Sequence, residues 1–215
     1  MTYSTCIIPD KAAIHTCPQF RVGHFLWTNR RRPETTGRMG YIPGQGLFVR
    51  MASGEDAPRC TYKNHMDMVC LDSAMEAFFA FPAQHLARRE GFAPQDGELY
   101  FNFEVNPLGA MYAKYGRSRQ QREQLSEAEF AATGVAAGIT GEGWWMEFLL
   151  PEDLLLRVTG KDGLEEGDVF FCNFYKISET PEIEHYAAWA NIPTDTPDFH
   201  QPRYFGAARI TACHE

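Results

Sequence analysis

The run from Tyr100 to Asn106 alternates without a fault, and it limits what this chain can fold into. Phe101, Phe103 and Val105 fall on one side; Tyr100, Asn102, Glu104 and Asn106 fall on the other. Successive side chains of a β-strand point to opposite faces, so the pattern predicts a strand with one buried face. A solvated face usually carries Lys, Arg, Ser and Thr. The Tyr-Asn-Glu-Asn row instead sets a flat apolar ring beside donors and acceptors, a combination suited to a polyhydroxylated ligand.

The rest of the chain reads as more short strands. Residues 20–27, 47–51, 74–81, 110–115, 144–150, 168–177 and 206–213 each carry an apolar or alternating run. Asn106-Pro107-Leu108-Gly109 has Pro and Gly where a type I turn wants them. Residues 30–40 read as a basic loop, 134–143 as a Gly-rich connection and 178–205 as a long segment of weak periodicity. Ser126-Glu127-Ala128-Glu129 has capping-box spacing and predicts a short helix, and residues 153–156 predict one more turn. With 18 Gly, 13 Pro and 16 Phe, the composition suits a turn-rich β-protein better than a helical bundle. No repeat, linker or low-complexity tract divides the 215 residues, so one all-β domain over residues 1–215 is expected, a β-sandwich with long loops.

A net charge of −8 argues against a nucleic-acid partner. Arg30-Arg31-Arg32 and Arg117, Arg119 and Arg122 read as solvated loops, although a guanidinium also suits hydroxyl and carboxylate groups. No segment is long enough to span a membrane and no secretory signal opens the sequence. The expected location is cytoplasmic, or secreted where a signal has been trimmed. The six cysteines are scattered without a Cys-x-x-Cys pair and read as reduced thiols rather than a zinc site. No nucleophile elbow, zinc-protease motif, P-loop or dinucleotide fingerprint is present.

The candidate ligand contacts follow from placement. Glu76 interrupts a strongly apolar strand. Tyr100, Asn102 and Glu104 share a face. Asn173 and Tyr175 lie two apart and share another. Trp189 sits in an irregular segment, as a core plug or a stacking platform, and His200 reads as a structural histidine. Trp144 and Trp145 are adjacent and point to opposite faces.

Several pieces together resemble the family 9 carbohydrate-binding modules, in particular the free-standing branch rather than the modules fused to xylanases. They are Asp72-Ser73-Ala74-Met75-Glu76, the Tyr100–Asn106 run with Gly109, and Tyr115-Gly116 with Arg119. Trp145-Met146-Glu147, Asn173-Phe174-Tyr175-Lys176, His185-Tyr186 with Trp189, and Phe199-His200-Gln201-Pro202 follow in order. The resemblance implies a jelly-roll β-sandwich that binds a mono- or oligosaccharide without catalysis, with structural calcium in some members. By the same resemblance Glu76 matches an acid that bonds sugar hydroxyls, and Asn173 a polar position at the site. One position departs: where the fused modules carry one of two gripping tryptophans, this chain has Cys70. Two alternatives stand beside the binding module. One is a xylanase-like glycoside hydrolase using a Glu pair; the other is a sensor or scaffold sandwich that has lost the sugar site.

Overall fold

The computed structural model describes residues 1–212. Within it β1 (Thr2–Ile7), β2 (Gln19–Arg21), β3 (His24–Asn29), β4 (Thr35–Ile42) and β5 (Gly46–Ser53) come first. β6 (Ala74–Ala80), β7 (Tyr100–Val105), β8 (Met111–Gly116) and β9 (Arg122–Gln124) form the middle. β10 (Ala136–Thr140), β11 (Gly143–Pro151), β12 (Val169–Ser178), β13 (His185–Ala188) and β14 (Gly206–Ala212) complete the set. Three short helices, α1 (Gln84–Ala87), α2 (Glu127–Thr133) and α3 (Glu152–Thr159), lie in the connections. No helix among the described residues is long and apolar enough to cross a membrane.

The strands link in the order β10-β11-β5-β4-β1-β14-β12-β6-β7-β8-β9. All pairs are antiparallel except those of β1, which runs parallel to both β4 and β14. The sheet curls about β1 and β14 until β4, β5 and β11 face β6, β7, β8 and β12. The result is a jelly-roll-type β-sandwich. Its filling is the alternate residues of both walls: Met39, Val49, Met146 and Phe148 on one side, Ala77, Phe101, Phe103 and Phe174 on the other. Phe103 and Phe148 meet with ring centroids 4.8 Å apart, and Phe20 stacks on Phe174 at 3.8 Å. Each such ring removed from water is worth about 1.5–3 kcal/mol.

The structure corrects the one-faced reading of the Tyr100–Asn106 run. All six residues of β7 are buried, on both faces. Phe101, Phe103 and Val105 enter the sandwich core, whereas Tyr100 joins a second cluster with Phe78, Tyr175, Phe199 and Phe205 on the outer face. The chain after Trp189 folds back over that face and covers it. The expected 30–40 loop is also corrected, because its second half is β4. Gly37 and Gly40 are not loop residues there. A Cβ at Gly37 would lie 2.4 Å from Phe20 Cζ, so glycine is what lets the Phe20 ring cross the strand. The 134–143 connection contains β10, in which Gly138 seats the Trp145 indole. β1, β9 and β13 had no counterpart among the expected strands, the expected 20–27 strand is two, β2 and β3, and Cys213, placed at the end of the last one, lies outside the described residues.

The short-range signals are matched by local geometry. Ser126 Oγ accepts from the Glu129 amide and the Glu129 carboxylate accepts from the Ser126 amide at 2.8 Å. Asn106 closes its own turn, its Oδ1 accepting from the amides of Leu108 and Ala110. Its Nδ2 donates to buried Asp72 at 2.9 Å, and the same Asp72 oxygen accepts from the amides of Thr61 and Tyr62. The irregular 55–73 segment is thereby tied to the sheet.

The sandwich side of β12 carries a fully buried lysine. Lys176 Nζ lies 2.9 Å from a Glu55 carboxylate oxygen and 2.9 Å from His185 Nε2, above the Trp144 ring. Burial alone would raise the Glu55 pKa, but Lys176, His185 and Ser73 outweigh it and hold the carboxyl below its usual value. Burial, then the Lys176 charge, depresses His185 to about 4, so its ring is neutral. Its Nδ1 donates to the Ile183 carbonyl and its Nε2 accepts from Lys176. Removing one partner from a buried pair strands the other charge. Lys176→Met should therefore lower unfolding free energy in urea by about 3–5 kcal/mol, and Lys176→Met with Glu55→Gln should recover part of it. A loss below about 1 kcal/mol for the single variant would mean that the pair is not isolated from water.

Candidate functional site

β6 and β7 are neighbours in the sheet, and the register sets Glu76 directly opposite Glu104 on the outer face. Opposed residues in an antiparallel pair have Cβ atoms about 4.5–5.5 Å apart, so the two carboxyl groups share one spot. They form the floor of a cavity that opens to solvent. Trp27, Tyr186, Phe199 and His200 come from one side; Tyr112, Arg119 and Arg122 come from the other; Met68, Cys70, Glu179 and Asp198 complete the lining.

A bulge aims Trp27. Between β13 and β3 the register passes from His185↔Asn29 to Tyr186↔Leu26, so Trp27 and Thr28 are extra residues on β3. Trp27 takes a left-handed backbone, φ 52°, which a bulky residue adopts only when its surroundings enforce it. Here they do: its Nε1 donates to the Thr194 carbonyl at 2.6 Å, and its ring packs against Tyr186 and Phe199.

Arg122 braces the floor from the other side. Its Nη1 donates to Asn102 Oδ1 at 2.7 Å, and Asn102 Nδ2 donates to Glu104 at 3.0 Å. Glu104 thus has one oxygen fixed. Glu76 is 3% exposed and accepts a hydrogen bond from no protein group among the described residues. Burial first, then the charges of Glu104 and Glu179, raise Glu76 well above the carboxylate range against the opposing pull of Arg122 and Arg119. Glu104 is pushed up to about 7 by burial, with Arg122 the main opposing charge. Burial followed by Arg122 and Arg119 drives His200 well below its ordinary value, so its ring is neutral and bonds the Tyr100 hydroxyl at 2.9 Å.

The expected site residues divide into two groups. Glu76 and Glu104 line the cavity, and Asn102 stands one bond behind them. Tyr100, Asn173, Tyr175 and Trp189 are buried and do not line it. Asn173 clamps the Ala190 backbone, donating to its carbonyl at 3.0 Å and accepting from its amide at 2.9 Å. Tyr175 stacks on Phe199 at 4.1 Å, and Trp189 packs against Tyr3 and Phe174 in the sandwich core. Cys70, the position that departs from the family pattern, does line the cavity. Sequence reasoning missed Trp27, Tyr112 and Glu179, and read Arg119 and Arg122 as solvated. The one available signal was the arginine spacing beside the long polar face of β7. Among the described residues no group of three or more His, Cys, Asp or Glu is placed to hold a metal ion.

Because Glu76 and Glu104 titrate higher in the folded chain than in the unfolded one, the unfolded chain releases their protons first. Their contribution to stability is complete below the unfolded value and is lost as pH rises through the folded one, about 7 for Glu104. Glu104→Gln should accordingly gain stability over the parent between about pH 5 and pH 8, by roughly 2–3 kcal/mol. Urea titrations of both proteins across that range read the difference directly, and a flat difference would show that Glu104 is not desolvated.

The same fold occurs in solved structures. A candidate carbohydrate-binding protein from Bacteroides uniformis ATCC 8492 superposes with a TM-score of 0.77 at 18% identity, covering 98% of both chains. A carbohydrate-binding module of family 9 from Caldicellulosiruptor kristjanssonii in complex with cellotriose gives a TM-score of 0.65 at 9% identity, over 100% of this chain and 96% of that one. The same module in complex with glucose gives the same score and identity over 98% of its length. No curated protein matches the sequence. The model of carbohydrate-binding family 9 matches residues 9–210, nearly the whole length, and the chain belongs to that family.

Proposed function

We propose that this protein binds a saccharide, without turnover, in the cavity floored by Glu76 and Glu104. The observation that carries the reading is Glu76: buried, aimed into the cavity and without a protein partner. A ligand rich in hydroxyls supplies the partner that the protein does not. Family membership and the glucose and cellotriose complexes of a module with the same fold support a sugar as that ligand.

In this reading the two acids fix ring hydroxyls and Asn102 holds Glu104 in place. Trp27 and Tyr112 come from opposite sides and offer ring faces to the apolar side of a pyranose. They supply the aromatic surface that Cys70 does not. Tyr100, Asn173, Tyr175 and Trp189 act from behind, by fixing the strands and the covering segment.

A second reading draws on one observation. The opposed Glu76 and Glu104 suit the roughly 5–5.5 Å carboxyl separation of a retaining glycosidase. Calorimetry with glucose and cello-oligosaccharides, joined to a reducing-sugar assay, separates the two. Saturable heat without sugar release is expected. Glu76→Ala should abolish the heat, and Trp27→Ala, shown folded by its thermal transition, should weaken binding about tenfold. Sugar release that Glu76→Ala stops would favour the hydrolase. No heat with any saccharide at millimolar concentration would remove the binding reading.

A further inference from the structure

Four acids, Glu76, Glu104, Glu179 and Asp198, line the cavity against two cations, Arg119 and Arg122. Among the described residues none of Glu76, Glu104 and Glu179 has an ion-pair partner within 4.0 Å, and Arg122 is turned to Asn102 instead. Elsewhere the protein pairs its buried acids: Glu55 with Lys176 at 2.9 Å, Asp72 with Arg59 at 3.5 Å, Asp168 with Lys161 at 2.8 Å. Four carboxyl groups against two guanidiniums leave room for a further cation that the ligand brings. A bare metal ion does not fit, because no three of the described acidic, His or Cys side chains are placed to hold one. An ammonium group on a sugar ring needs no such convergence, since its three donors reach outward from a body that fills the cavity.

Resting on the saccharide reading above, we infer that the sugar this cavity selects is an amino sugar with a free amine, its ammonium set against Glu76 and its ring hydroxyls against Glu104 and Glu179. The groups that face Glu76 are Glu104 from β7, Tyr175 from β12, Glu179 just past β12, Cys70 from the 55–73 segment, and Arg119 and Arg122 from the wall beside β8. Burial and the neighbouring acids raise Glu76 well above the carboxylate range and favour its protonated form in the free protein. When the ammonium docks, the Glu76 carboxyl gives its proton to the buffer, and carboxylate faces ammonium with the charge balanced. An N-acetylated sugar has no such charge and leaves Glu76 protonated.

Calorimetry near pH 6, in two buffers of different ionisation enthalpy, tests this with D-glucosamine, N-acetyl-D-glucosamine and D-glucose. Glucosamine should bind about tenfold or more tightly than the other two, with release of roughly one proton per ligand. In Glu76→Gln, shown folded by its thermal transition, the ratio of affinities should fall to about one and the proton release should vanish. Glucose or N-acetylglucosamine binding as tightly as glucosamine would overturn the inference and leave the saccharide reading standing. So would a glucosamine preference that persists in Glu76→Gln. Absence of binding by all three would sink the saccharide reading as well.

Discussion

Burial on both faces of β6, β7 and β12 is the constraint from which the rest of the architecture follows. A strand with water on neither side cannot leave its polar side chains unpaired without a cost of several kcal/mol. The chain meets the requirement one residue at a time. Asn173 locks the backbone at Ala190, Asn106 closes a turn and reaches Asp72, and Asn102 bridges Arg122 to Glu104. Lys176 takes Glu55 and His185. Thr5 Oγ1 and one Asp72 oxygen are left without a hydrogen bond, and Glu76, on the floor of the open cavity, accepts none from the protein among the described residues.

The two sides of the wall are connected through one segment. Glu55 begins it on the sandwich side, where it accepts from Ser73 Oγ and pairs with Lys176. Asp72 ends it, holding the Thr61 and Tyr62 amides. Met68 and Cys70, which line the cavity, lie between these anchors. The buried ion pair and this part of the lining are therefore carried by one segment. Elsewhere in the lining the bulge at Trp27 fixes an aromatic ring through backbone geometry and one indole hydrogen bond.

What the sequence disclosed depended on range. The β7 alternation, the capping box at Ser126 and the turn after Asn106 are local patterns, and the structure has them where the residues put them. Glu76 was legible because an acid in an apolar run demands a reason. The second buried face of β7 was not, because it depends on a covering segment that returns from far along the chain. Gly37 and Gly40 look like loop residues until Phe20 is laid over them. Trp27 gave no sign, since a pairing shift against β13 is what turns it inward. Arg122 reads as a solvated charge in a basic run, and only its reach across the hairpin to Asn102 gives it another role.

The parallel pairing of β1 with β14 joins Thr2–Ile7 to Gly206–Ala212, and with it the two walls of the sandwich. This joint sits between elements at the two ends of the described chain. Closing such a loop costs entropy before any contact rewards it, and chains dominated by distant pairings fold slowly, on the order of milliseconds to seconds. Until β14 has been made, the strands of each wall can pair among themselves but the β1–β14 joint between them cannot form. In a growing chain the cavity strands would then exist as an open sheet with bare apolar faces, so the last pairing to form is the one that shields the protein from its neighbours.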